Sequence, residues 1–167
     1  MATERPSEIL TALSWPSGVV REVRTEEVLY LRPPPDEEPN VNLVEADLAP
    51  LIDQGLLTEI HLSLEEQDHF VTLASYIDDG EARTLSVAAN RGLAVVTDDR
   101  AAMRVARGAG LNLEIITTPD WLMLWAEHSS LDVGELRDAL RSIMLRGRYS
   151  PRRSHPLHEW WQRNSSE

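Results

Sequence analysis

The chain has 167 residues, 42% hydrophobic and 26% charged, with no cysteine; this suffices for one ordinary domain with a sizeable core and rules out a disulfide framework or thiolate zinc site. A formal net charge of −12 argues against nucleic-acid binding through a broad electrostatic surface, because phosphate neutralisation needs clustered cations; it does not exclude a nuclease. No apolar run is long enough to span a bilayer and the start lacks the apolar stretch of a secretion signal, so a cytoplasmic protein with no membrane partner is expected.

In chain order, the apolar run Ile9 to Leu13 reads as a short strand ended by Ser14-Trp15-Pro16-Ser17. A helix is expected next, capped by Ser14 or Ser17, with Pro16 in its first turn and Val19, Val20 and Val23 as its buried stripe. Glu22 falls on the flank of that stripe. Arg32 to Pro39, with three consecutive prolines, must be a loop. Leu48, Leu51 and Ile52 predict a short helix stopping at Gly55, Leu57 to Leu62 alternates as a strand does, and Ser63 with Glu66 is a capping box opening a helix to about Ile77.

Ala82, Leu85 and Ala89 then recur at helical spacing, with the helix beginning at Glu81 and stopping at Gly92. Leu93 to Thr97 reads as a buried strand that delivers Asp98 and Asp99 at its carboxyl end. A helix from Arg100 to about Arg107, a strand from Leu111 to Ile116, a helix starting at Thr118-Pro119 and another marked by Val133, Leu136, Leu140 and Ile143 follow. The alternation of strands and helices predicts an α/β fold with a mostly parallel sheet. Residues 1–149 form the expected domain, and 150–167 an irregular tail.

Charge is unevenly distributed. Every basic side chain other than histidine is Arg, and none lies between Arg32 and Arg83, a stretch rich in Asp and Glu. The C-terminal third runs the other way, with Arg137, Arg141, Arg146, Arg148, Arg152 and Arg153. Asp78 and Asp79 read as turn and cap residues. Glu81 reads either as a carboxylate favoured at a helix N-terminus or as a site residue, and Asp98 as a helix cap or a ligand. In an open parallel sheet the functional crevice lies beyond the strand carboxyl ends, where clustered carboxylates suit a hard divalent cation. Arg100, Arg104 and Arg107 share a helix face, either solvated or able to grip phosphate. The histidines show no zinc-ligand spacing, and Trp121, Trp125, Trp160 and Trp161 suit packing or an interface.

The run Asp78-Asp-Gly-Glu-Ala, its Ala-rich helix, and Leu-Ala-Val-Val-Thr-Asp-Asp-Arg-Ala-Ala with Ala106 and Gly110 resemble the second half of a PIN domain, over roughly residues 9 to 128. The segment Pro16 to Val23 resembles that family's early helix. The resemblance implies a Rossmann-like three-layer α/β fold and an Mg²⁺- or Mn²⁺-dependent endoribonuclease, related to the toxins of toxin-antitoxin pairs. It assigns Glu22, Glu81 and Asp99 as catalytic metal ligands and Asp98 as an auxiliary one. RNA is the implied substrate, with an antitoxin-like protein or a second copy as partner.

Family members open with an apolar strand ending in Asp, and none of the eight residues before Ile9 is Asp. The domain thus reads as N-terminally incomplete: either the natural start lies upstream, or the chain is a degenerate member acting as a protein-interaction module. A response-regulator-like domain with an acidic Mg²⁺ pocket would need a Lys on a later strand, and the chain has none.

Overall fold

The computed structural model describes residue 3 and residues 5–27, 30–33 and 43–166. Most of the expected proline loop lies outside them. The chain divides into two compact units: residues 1–16, 28–56 and 122–167 form one, and 17–27 with 57–121 the other. Helices and short, mostly parallel strand pairs make the build α/β. No helix among the described residues is long and apolar enough to cross a membrane.

The second unit holds the expected α/β alternation. Its first strand, β1 (Gly18–Val20), runs parallel to β4 (Thr58–Ile60), with Gly18 opposite Thr58 and Val20 opposite Ile60. A helix was expected across Val19 and Val20, and the pairing overrides it. Two β-branched residues suit a pleated strand. At Gly18 a side chain would sit 2.9 Å from Ile60 Cγ1 and 3.1 Å from the Thr58 carbonyl oxygen, so glycine permits the close approach. The helix starts only at Arg21, as α2 (Arg21–Glu26).

After β4 come α4 (Leu64–Leu73) and α5 (Asp79–Arg91), packed against each other. The capping box at α4 forms as expected: Glu66 N donates to Ser63 Oγ at 3.3 Å and Ser63 N donates to the Glu66 carboxylate at 2.7 Å. The helix ends at Leu73, short of Ile77. Helix α5 starts two residues before the expected Glu81, because Asp78 caps it, and stops at Gly92 in a left-handed conformation at φ 65°. Strands β5 (Val95–Val96) and β6 (Ile115–Ile116) pair in parallel and flank α6 (Arg100–Gly108). Both strands are shorter than expected. Leu73, Ala82, Leu85, Ala88, Val95, Ala102 and Ala106 form the core of this unit.

The first unit contains α1 (Pro6–Leu13), the antiparallel pair β2 (Tyr30–Leu31) and β3 (Val44–Glu45), and α3 (Ala49–Asp53). It also contains α8 (Val133–Arg146) and α9 (His158–Ser165). The boundary between units falls within α7 (Thr118–His128). Ile9 to Leu13 is helical, correcting the expected strand: Pro6 suits the first turn, and Ile9, Leu10 and Leu13 bury one face. The tail expected to be irregular carries α9, packed on α8. Trp161 is fully buried there and meets Tyr149 edge to face at 5.6 Å. Truncating so buried an aromatic side chain costs about 3–5 kcal/mol, which explains why these residues are ordered.

Candidate metal centre

Three carboxylates converge at the N-terminus of α5. One oxygen from each of Glu27, Asp78 and Glu81 lies within 4.8 Å of the others. Asp78 is placed there as the helix cap, accepting the Glu81 backbone N–H at 3.2 Å. Glu81 follows in the first turn, on the face that continues to Thr84 and Leu85. Glu27 arrives from the end of α2, where the chain leaves helical geometry. Its carboxylate lies against Gly80, and a β-carbon there would overlap it. Glycine at position 80 thus makes room for the third acid.

The three groups divide their protons unequally. The Glu81 carboxyl is pushed up to about 7, first by its hydrogen bond to Asp78, then by burial and the charges of Asp78, Glu27 and Asp99. Asp78 is held below its ordinary value by the same bond and by backbone N–H donors. Glu27 is raised by burial and by the charge of Asp78. Glu81 is therefore the member of the cluster that gives up its proton last as pH rises. Arg83 moderates the charge from one side, paired with Glu26 at 3.3 Å and Asp79 at 3.6 Å and stacked over Phe70 at 4.7 Å.

A cleft of about 160 Å³ opens beside the cluster, with Glu27, Gly80, Glu81, Thr84 and Thr97 on its polar side and Val23, Leu85 and Val95 among its apolar walls. Asp99 follows Thr97 and caps α6, accepting the Ala102 N–H at 2.7 Å. It is near enough to act on Glu81. Asp98 turns elsewhere: its two oxygens accept from the backbone N–H and hydroxyl of Thr118, securing the start of α7. Arg100, Arg104 and Arg107 are exposed along α6. Only Arg100 adjoins Asp99, since seven residues of helix place Arg107 about 10 Å further along.

Of the sequence-derived ligands, Glu81 belongs to the trio and Asp99 stands near it. Glu22 is not among the trio; one of its carboxylate oxygens is buried with no hydrogen-bond partner among the described residues. Sequence reasoning missed Glu27. Five residues after Glu22, at the end of a short helix, it shows no distinguishing spacing, and only the tertiary contact with Gly80 reveals it. The sequence marks Asp78 as a turn and cap residue, and only the fold brings its carboxylate together with those of Glu27 and Glu81. Comparison with protein-family models, curated proteins and solved structures returns no match for this chain.

Proposed function

We propose that the second unit is a PIN-type, Mg²⁺- or Mn²⁺-dependent endoribonuclease centre, in which Glu27, Asp78 and Glu81 hold the ion with Asp99 beside them. The observation that carries this reading is the convergence of three carboxylate oxygens, two of them from residues that line a cleft, Glu27 and Glu81. The donor set suits the ion, being all oxygen, and its crowded negative charge raises the Glu81 carboxyl. When bound, such a cation supplies an activated water and neutralises charge on the phosphoryl and leaving oxygens.

The residues do the rest. Asp78 and Glu81 are fixed by the helix they open, and the apolar walls restrict water around the reacting bond. Arg100 follows Asp99, is exposed and has no ion pair among the described residues, and in this reading it is the donor to a substrate phosphate. Thr84 and Thr97 offer hydroxyls in the same cleft. In this reading Asp98 serves as a support through Thr118. A toxin role, with an antitoxin-like protein or a second copy as its partner, extends the same proposal.

The test is a titration of the chain with Mn²⁺, following thermal stability and cleavage of a mixed RNA pool. At a hundredfold excess over Kd, binding to the native state adds about 2.7 kcal/mol, or roughly 5–10 °C in melting temperature. Glu81→Gln and Asp99→Asn should each reduce cleavage by at least about a hundredfold, with Asn retaining the cap at α6. Glu27→Gln should abolish the thermal shift and Glu22→Gln should leave it. The reverse pattern would remove Glu27 from the centre. Absence of both shift and cleavage would favour the non-catalytic module.

A further inference from the structure

The arginines of the C-terminal third remain outside the acidic centre. From Ala139 to His158 the chain has five arginines, Arg141, Arg146, Arg148, Arg152 and Arg153, and no Asp or Glu. The structure adds a sixth to the group. Arg32 N donates to the Arg146 carbonyl at 3.1 Å, and Arg146 Nε donates to the Arg32 carbonyl at 3.0 Å, so two segments distant in sequence, each carrying arginine, meet. Arg32, Arg148, Arg152 and Arg153 are exposed, and none has an ion pair among the described residues.

The segment bearing them is firmly held from beneath. Gly147 N and Tyr149 N both donate to the Ile143 carbonyl, Tyr149 packs on Trp161, and Pro151 is buried. The Pro151 carbonyl lies 3.0 Å from His158 Nδ1, and His155 N donates to the Arg152 carbonyl at 2.9 Å. Buried anchors thus alternate with outward cations, so the backbone that carries the arginines needs no ordering on meeting a ligand.

We propose that this surface of the first unit, centred on Arg32, Arg148, Arg152 and Arg153, binds the phosphate backbone of single-stranded RNA. Guanidinium groups are the donors best suited to phosphate, and unpaired ones give up no existing ion pair to reach it. The exposed residues from Gly147 to Ser154 are Gly147, Arg148, Ser150, Arg152, Arg153 and Ser154. None of these is apolar, although Leu145 before them and Tyr30 before Arg32 are exposed, so within this segment charge, not an apolar centre, is what a ligand meets. The chain's net negative charge does not oppose this locally, because exposed charges beyond about 8–10 Å are largely screened at physiological salt.

The experiment measures binding of a labelled, mixed-sequence single-stranded RNA of about 16 nucleotides to the full chain in EDTA, across a series of salt concentrations. The wild-type affinity should fall steeply with salt. The triple variant Arg148→Gln, Arg152→Gln, Arg153→Gln should bind at least about tenfold more weakly at low salt and lose about 2 from the log–log salt slope. Its melting curve should be unchanged, since all three side chains are exposed. Wild-type affinity in the triple variant overturns the proposal, as does absence of salt-dependent RNA binding by the wild type. Tighter binding to a polyglutamate peptide than to RNA overturns it in favour of an acidic protein partner. EDTA separates this inference from the nuclease reading: RNA binding in EDTA without cleavage in Mn²⁺ would end that reading and leave this surface standing.

Discussion

The two ends of α5 present the same side-chain chemistry in opposite circumstances. At its C-terminal end Arg91 meets the buried Glu66, Nε donating to Oε1 at 2.6 Å and Nη2 to Oε2 at 2.8 Å, with a further bond to the His61 carbonyl. That pairing and the Ser63 N–H pull the Glu66 carboxyl down to about 2. At the N-terminal end Glu81 has only acids for close partners in the cluster and rises to about 7. The first arrangement is complete as it stands and ties α4 to α5, helped by the buried Ser86 hydroxyl donating to the Glu66 carbonyl at 2.7 Å. The second is incomplete without a cation or a proton. A carboxylate's fate here is decided by its neighbours, and the contrast separates a structural acid from a candidate site acid.

The largest expected effect in breaking this contrast comes from Arg91→Met, which leaves the Glu66 carboxylate buried without its main partner. Stability measured by urea unfolding should fall by about 3 kcal/mol. A loss below half a kcal/mol would show that the pair contributes little beyond the capping box.

Next comes pH, where the two glutamates act with opposite signs. Glu66 has a lowered value, so its contribution is present above its ordinary value of 4.5 and lost as pH falls toward 2. Glu81 has a raised value, so its contribution is present below 4.5 and lost as pH rises through about 7. The metal-free protein should therefore lose melting temperature as pH rises from about 4.5 to about 7, the window set by the ordinary and raised values of Glu81, and Glu81→Gln should flatten that decline. Mn²⁺ affinity should rise over the same range, because the ion must displace the proton. An identical decline in wild type and Glu81→Gln would dissociate it from Glu81.

The smallest effect on stability and the finest test of geometry is Gly80→Ala. The added methyl would displace the Glu27 carboxylate, the movable end of a flexible side chain, while alanine favours the helix by up to about 1 kcal/mol. Stability should stay within about 1 kcal/mol of wild type, and Mn²⁺ affinity should fall severalfold. Unchanged affinity would mean that Glu27 does not hold the ion.

Elements whose signals are local were legible in the sequence. Ser63 with Glu66 forms the capping box, Gly92 ends α5 in a left-handed turn, and Val133 to Ile143 marks α8. Each depends on residues within one or two turns of one another. The elements misread depended on distant partners. Gly18 to Val20 carries a passable helical stripe and becomes a strand because Thr58 to Ile60 pairs with it. Residues 158–165 form a helix because Trp161 finds a buried position against Tyr149 and α8. Asp98 and Asp99 look interchangeable in sequence, yet one secures Thr118 and the other caps α6.

By itself the sequence determined the α/β alternation, the acids at the start of α5 and after β5, and the segregation of arginine toward the C-terminus, since these follow from periodicity, capping and composition. Only the tertiary structure decided that Glu27 joins Asp78 and Glu81, that Arg91 completes Glu66, and that Arg32 joins the C-terminal arginines. The physical reason is one of range: capping and amphipathic spacing act over a few residues, whereas the environment of a carboxylate or guanidinium is set by whatever the folded chain brings within a few ångströms of it.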